Sequence, residues 1–135
     1  MTVPFRHEVS RRYSDIDQQQ HVNNVVYFSY VQDARIALLF SAWQANMHDL
    51  HHVVVHQEMS YRKPLVISLA PVVVEVWVSD IGNSSYVLSY RLIDEHGDLA
   101  AESTTTMACI DPSTGRATRV PDDLRALLEG LRLSA

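Results

Sequence analysis

The chain is poor in cysteine, glycine, proline and positive charge, and it has no long apolar run. Its single cysteine, Cys109, stands alone among 135 residues. That excludes an intramolecular disulfide and fits a reducing, cytoplasmic compartment. Four glycines and five prolines interrupt the chain rarely, which predicts long elements joined by short connections. No internal repeat or low-complexity tract is present. Eleven Lys and Arg face sixteen Asp and Glu, for a formal net charge of −5. A general nucleic-acid binder needs a basic face, so nucleic acid is not the expected partner. The apolar stretches around Val53–Val55 and Leu69–Val74 are far too short to span a bilayer, and no membrane association is expected. The first seven residues, Met1 to His7, lack the apolar core of a secretory signal.

What is there is ordinary globular material. Apolar residues make up 47% and charged residues 20%, enough apolar surface to offset the entropy of ordering. At this length one domain is expected, over residues 1–135. Phe5 to Tyr13 is charged and alternates poorly, which predicts a strand near a sheet edge. Ser14 to His21 is polar and aperiodic, which predicts a loop. From Asn23 the pattern turns helical. Val25, Phe28, Val31, Gln32, Arg35, Leu38, Leu39, Ala42 and Trp43 step by three and four, and Ala34, Ala37 and Ala45 add propensity. Gln32 and Arg35 mark a mixed flank. Asn23 or Asn24 is a suitable N-cap. A helix from there to about Asn46 would be roughly 35 Å long, the axis of a small fold.

After Asp49 the character is β. Strands are predicted over His52–Tyr61, Ala70–Ser79, Ser85–Ile93 and Ala100–Ile110. The segments Ile81–Ser84 and Asp94–Asp98 supply turn chemistry between them. Pro121, Asp122 and Asp123 then open a short amphipathic helix through Leu124, Leu127, Leu128 and Leu131. Short connections imply antiparallel neighbours. Strand, long helix, four strands, short helix is an α+β order. The sheet's second face must be polar or covered, and a homodimer that extends or covers the sheet meets the second case.

The segment from Arg12 to Tyr27 carries the chemistry. Asp15, Asp17 and His21 lie in a loop that runs into a helix N-terminus. The first amides of a helix lack internal partners and carry partial positive charge. Such amides can stabilise the oxyanion of a carbonyl under attack, and a neighbouring carboxylate can attack that carbonyl or activate water. Asp and Asn ahead of a helix are also ordinary caps, so the local pattern alone leaves both readings open.

The same segment resembles the signature of the hotdog-fold acyl-CoA thioesterases, in their 4-hydroxybenzoyl-CoA thioesterase-like branch. Tyr13, Asp15, Asp17, His21, Val22, Asn23, Asn24 and Tyr27 stand at the matching spacing, and the element order matches over nearly the whole chain. The resemblance implies a five-stranded antiparallel sheet wrapped around a long central helix, plus the short C-terminal helix. It implies a hydrolase that splits a thioester into a carboxylic acid and CoA. Asp17 matches the catalytic carboxylate, as nucleophile or general base. The backbone N–H of Asn24 matches the oxyanion donor. His21, counted with the catalytic set, and Asn23 match positions that shape the loop or touch substrate. Tyr27 matches a residue that lines the acyl pocket or supports the loop, and Asp15 a structural one that binds loop amides.

The family often has glycine where this chain has Gln20. Glycine tolerates positive φ at low cost, so Gln20 predicts a different loop path. Glu58–Pro64 resembles the family's second strand and its exit, which lines the pocket from a partner subunit. Met59 and Tyr61 are candidate substrate contacts. Arg62 and Lys63 are candidate ligands for a CoA phosphate, or solvated charges at a strand end. The family forms dimers with interfacial active sites, and often tetramers. It needs no metal or redox cofactor. Two alternatives stand beside the enzyme: a non-catalytic acyl-CoA-binding module, and a thioesterase acting on acyl carrier protein. Elsewhere, Gly82–Ser85 reads as a hairpin turn. His48, His51, His52 and His56 read as surface histidines, not a zinc site. Cys109 reads as a buried small residue.

Overall fold

The computed structural model describes residues 1–42 and 51–133. Five strands and two helices follow the chain: β1 (Phe5–Val9), α1 (Val26–Ala42), β2 (His52–Tyr61), β3 (Val72–Ile81), β4 (Ser85–Ile93), β5 (Leu99–Cys109) and α2 (Asp122–Gly130). The strands form one antiparallel sheet in the order β1-β3-β4-β5-β2. With the long helix on one face, this is the hotdog arrangement. The first strand ends at Val9, short of the expected Tyr13, because Tyr13–Asp15 close a 3-10 turn instead. The far end of the expected helix, with Trp43, Ala45 and Asn46, lies outside the described residues, as does His48.

Alternation in β3 and β4 builds the core. Val72, Val74, Val76 and Val78 are buried on one face of β3, and Tyr86, Leu88, Tyr90 and Leu92 on the same face of β4. The register sets Val76 opposite Tyr90 and Val74 opposite Leu92. Against this face α1 lays Tyr27, Tyr30, Val31, Ala34 and Leu38. Each large apolar side chain so buried contributes about 1.5–3 kcal/mol. Val31, Arg35, Leu38 and Leu39 of the expected stripe of α1 are buried, but Val25 and Gln32 are exposed, and Tyr27, Tyr30 and Ala34 are buried beside it. The difference has a physical reason. Ile36 and Phe40 put apolar residues on the outer side too, so periodicity does not separate the faces. The tyrosines can enter because their hydroxyls find partners inside.

The outer face of the sheet is polar. Glu75 accepts from Arg91 at 3.1 Å, and the Arg91 guanidinium lies 4.8 Å from the Trp77 ring centre. Ser89 and Ser79 are hydrogen-bonded at 2.7 Å across the strands. α2 covers the end of β3 through buried Leu124 and Leu128, and the Val78 amide donates to the Leu131 carbonyl at 3.1 Å. Cys109 is buried, as expected. Among the described residues no helix is long and apolar enough to cross a membrane.

Candidate active site

The site begins with Asp15. Its carboxylate is buried and accepts from the Arg12 amide at 2.9 Å, the Arg12 guanidinium at 3.1 Å and the Tyr30 hydroxyl at 2.8 Å. Burial alone would raise its pKa. The Arg12 amide, the Tyr30 hydroxyl and the Arg12 side chain outweigh that and hold it below the ordinary carboxylate value. Because Tyr30 belongs to α1, Asp15 fastens the loop to the helix. Its carbonyl also accepts from the Asn23 amide at 2.8 Å.

Two residues on, the chain folds into a small hairpin. Ile16 pairs with Val22, and the Asp17 amide donates to the His21 carbonyl at 2.8 Å. The turn is closed by the Gln20 amide donating to the Asp17 carbonyl at 3.0 Å. Gln20 takes φ +64°, the left-handed conformation that favours glycine. Glutamine here occupies the left-handed position itself. Asp17 Oδ1 accepts from the Gln19 amide at 2.9 Å and the His21 amide at 3.4 Å. Oδ2 takes no hydrogen bond from any described residue.

The loop then enters α1. Asn23 Oδ1 accepts from the Val25 amide at 2.9 Å, so Asn23, not Asn24, is the cap. The Val26 amide donates to the Asn23 carbonyl at 2.9 Å. Among the described residues nothing accepts from the Asn24 N–H. Two tyrosines tie the helix start to the exit of β2. The Tyr61 hydroxyl donates to the Asn24 carbonyl at 2.6 Å, and the Leu65 amide donates to the Tyr27 hydroxyl at 3.0 Å. Their rings meet edge to face at 4.9 Å.

These elements enclose an open cleft of about 350 Å³, lined by Asp17, Gln19, His21, Val22, Asn24, Tyr27, Tyr61, Arg62, Lys63 and Pro64. Seven of the nine candidate residues thus line one cavity. Asn23 and Met59 do not. Asn23 is spent on capping, and Met59 lies one alternation step down β2 from Tyr61, partly buried against the core. Val22 belongs to the signature spacing without an expected role, and Gln19 and Pro64 join the lining from inside the two segments that carry the other candidates.

The two cations of the cleft are neither free nor simply solvated. Lys63 Nζ lies 2.7 Å from both Asp94 Oδ2 and Asp98 Oδ2, which raises its pKa. Asp94 is buried, which would raise its own pKa, but Lys63 and the Asp98 and His96 amides bring it down to about 2. Arg62 lies 3.3 Å from Glu102. Among the histidines, His51 and His56 are exposed, but His52 is half-buried with Nδ1 against the Tyr86 hydroxyl. The surface reading fails for His52 because β2 begins there, beside buried Cys109. Among the described residues no group of three or more His, Cys, Asp or Glu is placed to hold a metal ion.

Asp17 and Asn24 thus line one cleft, and among the described residues Asp17 Oδ2 has no donor and the Asn24 N–H no acceptor; a carboxylate and an unpaired amide are the groups that attack on a carbonyl calls for. Comparison with known proteins points the same way. Residues 12–128 match the thioesterase-like superfamily. The long-chain acyl-CoA thioesterase FadM of Escherichia coli is 29% identical over 118 residues, 84% of this chain and 89% of FadM. A thioesterase from Thermus thermophilus, solved with coenzyme A and zinc, is 29% identical with a TM-score of 0.81, covering 96% of this chain and 95% of that one. The PA5185 protein of Pseudomonas aeruginosa shares the fold at a TM-score of 0.85 and 24% identity, covering 99% and 95%.

Proposed function

The chain belongs to the thioesterase-like superfamily, and from that membership we propose that it hydrolyses acyl-CoA thioesters to a carboxylic acid and free CoA. The observation that carries the reading is the cleft lined by both Asp17 and Asn24. The thioester carbonyl oxygen would accept from the Asn24 N–H, where the partial positive charge of the helix start favours a developing oxyanion. Asp17 Oδ1 is held by the Gln19 and His21 amides, which leaves Oδ2 for chemistry. As nucleophile, Oδ2 bonds to the carbonyl carbon, the C–S bond breaks, and water then cleaves the resulting anhydride. As general base, Oδ2 takes a proton from a water whose oxygen makes that attack. In both routes the thiolate of CoA leaves and is protonated. His21 lines the same cleft and supports the turn through its backbone.

The cleft's aromatic wall, Tyr27 and Tyr61, suits the acyl group or the thioester arm. Arg62, more exposed than Lys63, is the better candidate for a CoA phosphate, because Lys63 already faces two carboxylates. Residues 1–135 act as one domain. The assembly is a homodimer, supported by the edge of β2, unpaired among the described residues, and by the exposed Val53, Val54 and Val55 on it.

Thiol release from acetyl-, octanoyl-, palmitoyl- and benzoyl-CoA tests the reading, with Asp17→Asn beside the native chain. Release from one class is expected, with kcat at least about a hundredfold lower in the variant. Circular dichroism and the unfolding midpoint should remain native-like. Full turnover in folded Asp17→Asn would remove Asp17 from its role. No release from any thioester by native protein would favour a carrier-protein substrate or a binding module.

A further inference from the structure

Tyr61 is the last residue of β2, and the chain around it is held firmly. Tyr61 pairs with Ala101 on β5. The next two amides, of Arg62 and Lys63, both donate to the Ala100 carbonyl, at 2.8 and 3.1 Å. Lys63 then clamps the strand exit to the Asp94–Asp98 turn. From this fixed base the Tyr61 hydroxyl reaches across the cleft to the Asn24 carbonyl at 2.6 Å. Asn24 is exposed and precedes the first helical residue, Val26. Helix starts fray unless held. The peptide before Asn24 is fixed by the Val26 amide on the Asn23 carbonyl. The peptide after it is held on both sides, its Val25 N–H by the Asn23 side chain and its Asn24 carbonyl by Tyr61.

We propose that Tyr61 is a positioning residue: its hydroxyl fixes the Asn24 backbone in the orientation at which the Asn24 N–H meets a thioester oxygen. This rests on the hydrolase reading above and extends it to a residue outside the loop motif. Tyr61 has one hydroxyl proton, and the Asn24 carbonyl takes it, so the hydroxyl acts through the helix start and not on substrate. Burial pushes its pKa above the ordinary tyrosine value, so it remains a donor at neutral pH. The ring is placed separately, by its edge-to-face contact with Tyr27. Phenylalanine at 61 therefore keeps the wall and loses only the tether.

Tyr61→Phe is the test, with the same four acyl-CoAs. A kcat about tenfold lower is expected, the size of one lost orienting hydrogen bond, with KM within about twofold of native. The pH profile should keep its shape. In protein labelled with 15N-asparagine, the Asn24 amide signal should shift and exchange faster with water, while that of Asn83 stays in place. An unchanged kcat, with or without a fall in melting temperature, overturns the proposal, since a merely structural contact would give that. A raised KM with native kcat also overturns it and makes the hydroxyl a substrate contact. An unmoved Asn24 signal overturns it as well. If native protein releases no thiol, the hydrolase reading falls, and the Asn24 signal alone decides whether Tyr61 sets that amide.

Discussion

Two aspartates two residues apart have opposite fates. Asp15 turns inward, is fully partnered and ties the loop to Tyr30. Asp17 stays at the cleft with one oxygen held by amides. Gln20 makes the second case possible. The turn must bring the amides of residues 19 and 21 onto one carboxylate oxygen, and that bend requires a left-handed residue between them. A non-glycine residue there costs about 1 kcal/mol. Gln20→Gly is therefore expected to raise unfolding stability by about 0.5–1 kcal/mol, less than the full relief because glycine also loosens the unfolded chain. Urea unfolding measures it. A loss of stability would show that the glutamine side chain contributes a contact that outweighs the strain.

At the scale of elements, the meeting of α1, β2, β4 and β5 holds the least expected chemistry. Arg35, in the middle of the long helix, is buried and donates to the Tyr90 hydroxyl at 3.3 Å and the Thr105 hydroxyl at 3.4 Å. Nearby, burial and the positive charge of Arg35 depress the His52 pKa from 6.5 to about 4. The unfolded chain then binds the His52 proton more readily than the folded one. This part of the stability is fully present above pH 6.5 and is lost as pH falls toward 4. Thermal unfolding across that window should show a falling midpoint. His52→Phe should flatten the slope. An equal slope in the variant would assign the acid sensitivity to other groups.

For the whole molecule, the outer sheet face and the sheet edge behave differently. The outer face is already satisfied by its own ladder of Glu75, Arg91 and Trp77. The edge is not: among the described residues β2 pairs only with β5 and leaves a ten-residue strand with exposed valines. An exposed edge of that kind is a template for a second strand. Val55 is the most exposed of the three, at 58%, so Val55→Lys should leave the fold intact while setting like charges near each other across a twofold axis. Sedimentation equilibrium should find a dimer of the native chain and a weaker one, by about tenfold or more in Kd, for the variant. A native monomer at all concentrations would overturn the dimer. An unweakened dimer of the variant would place its interface elsewhere.

The sequence by itself determined the elements and the loop. β2 and β4 carry their expected bounds, because alternation and turn residues act locally. The spacing from Asp15 to Tyr27 located the cleft residues on the loop and helix, because hairpin, cap and helix start are also local. Tertiary structure decided the rest. It brought Tyr27 and Tyr30 into the buried face of α1, since tyrosine enters a core only where its hydroxyl finds a partner, here the Leu65 amide and Asp15. It buried Arg35 and half-buried His52, which pattern alone placed on a flank and at the surface. It turned Lys63 toward Asp94 and Asp98, partners some thirty residues away. And it brought Tyr61 to Asn24, 37 residues apart. Such contacts depend on which strands become neighbours, and the order β1-β3-β4-β5-β2 is settled by burying the whole sheet face at once, not by any local run of residues.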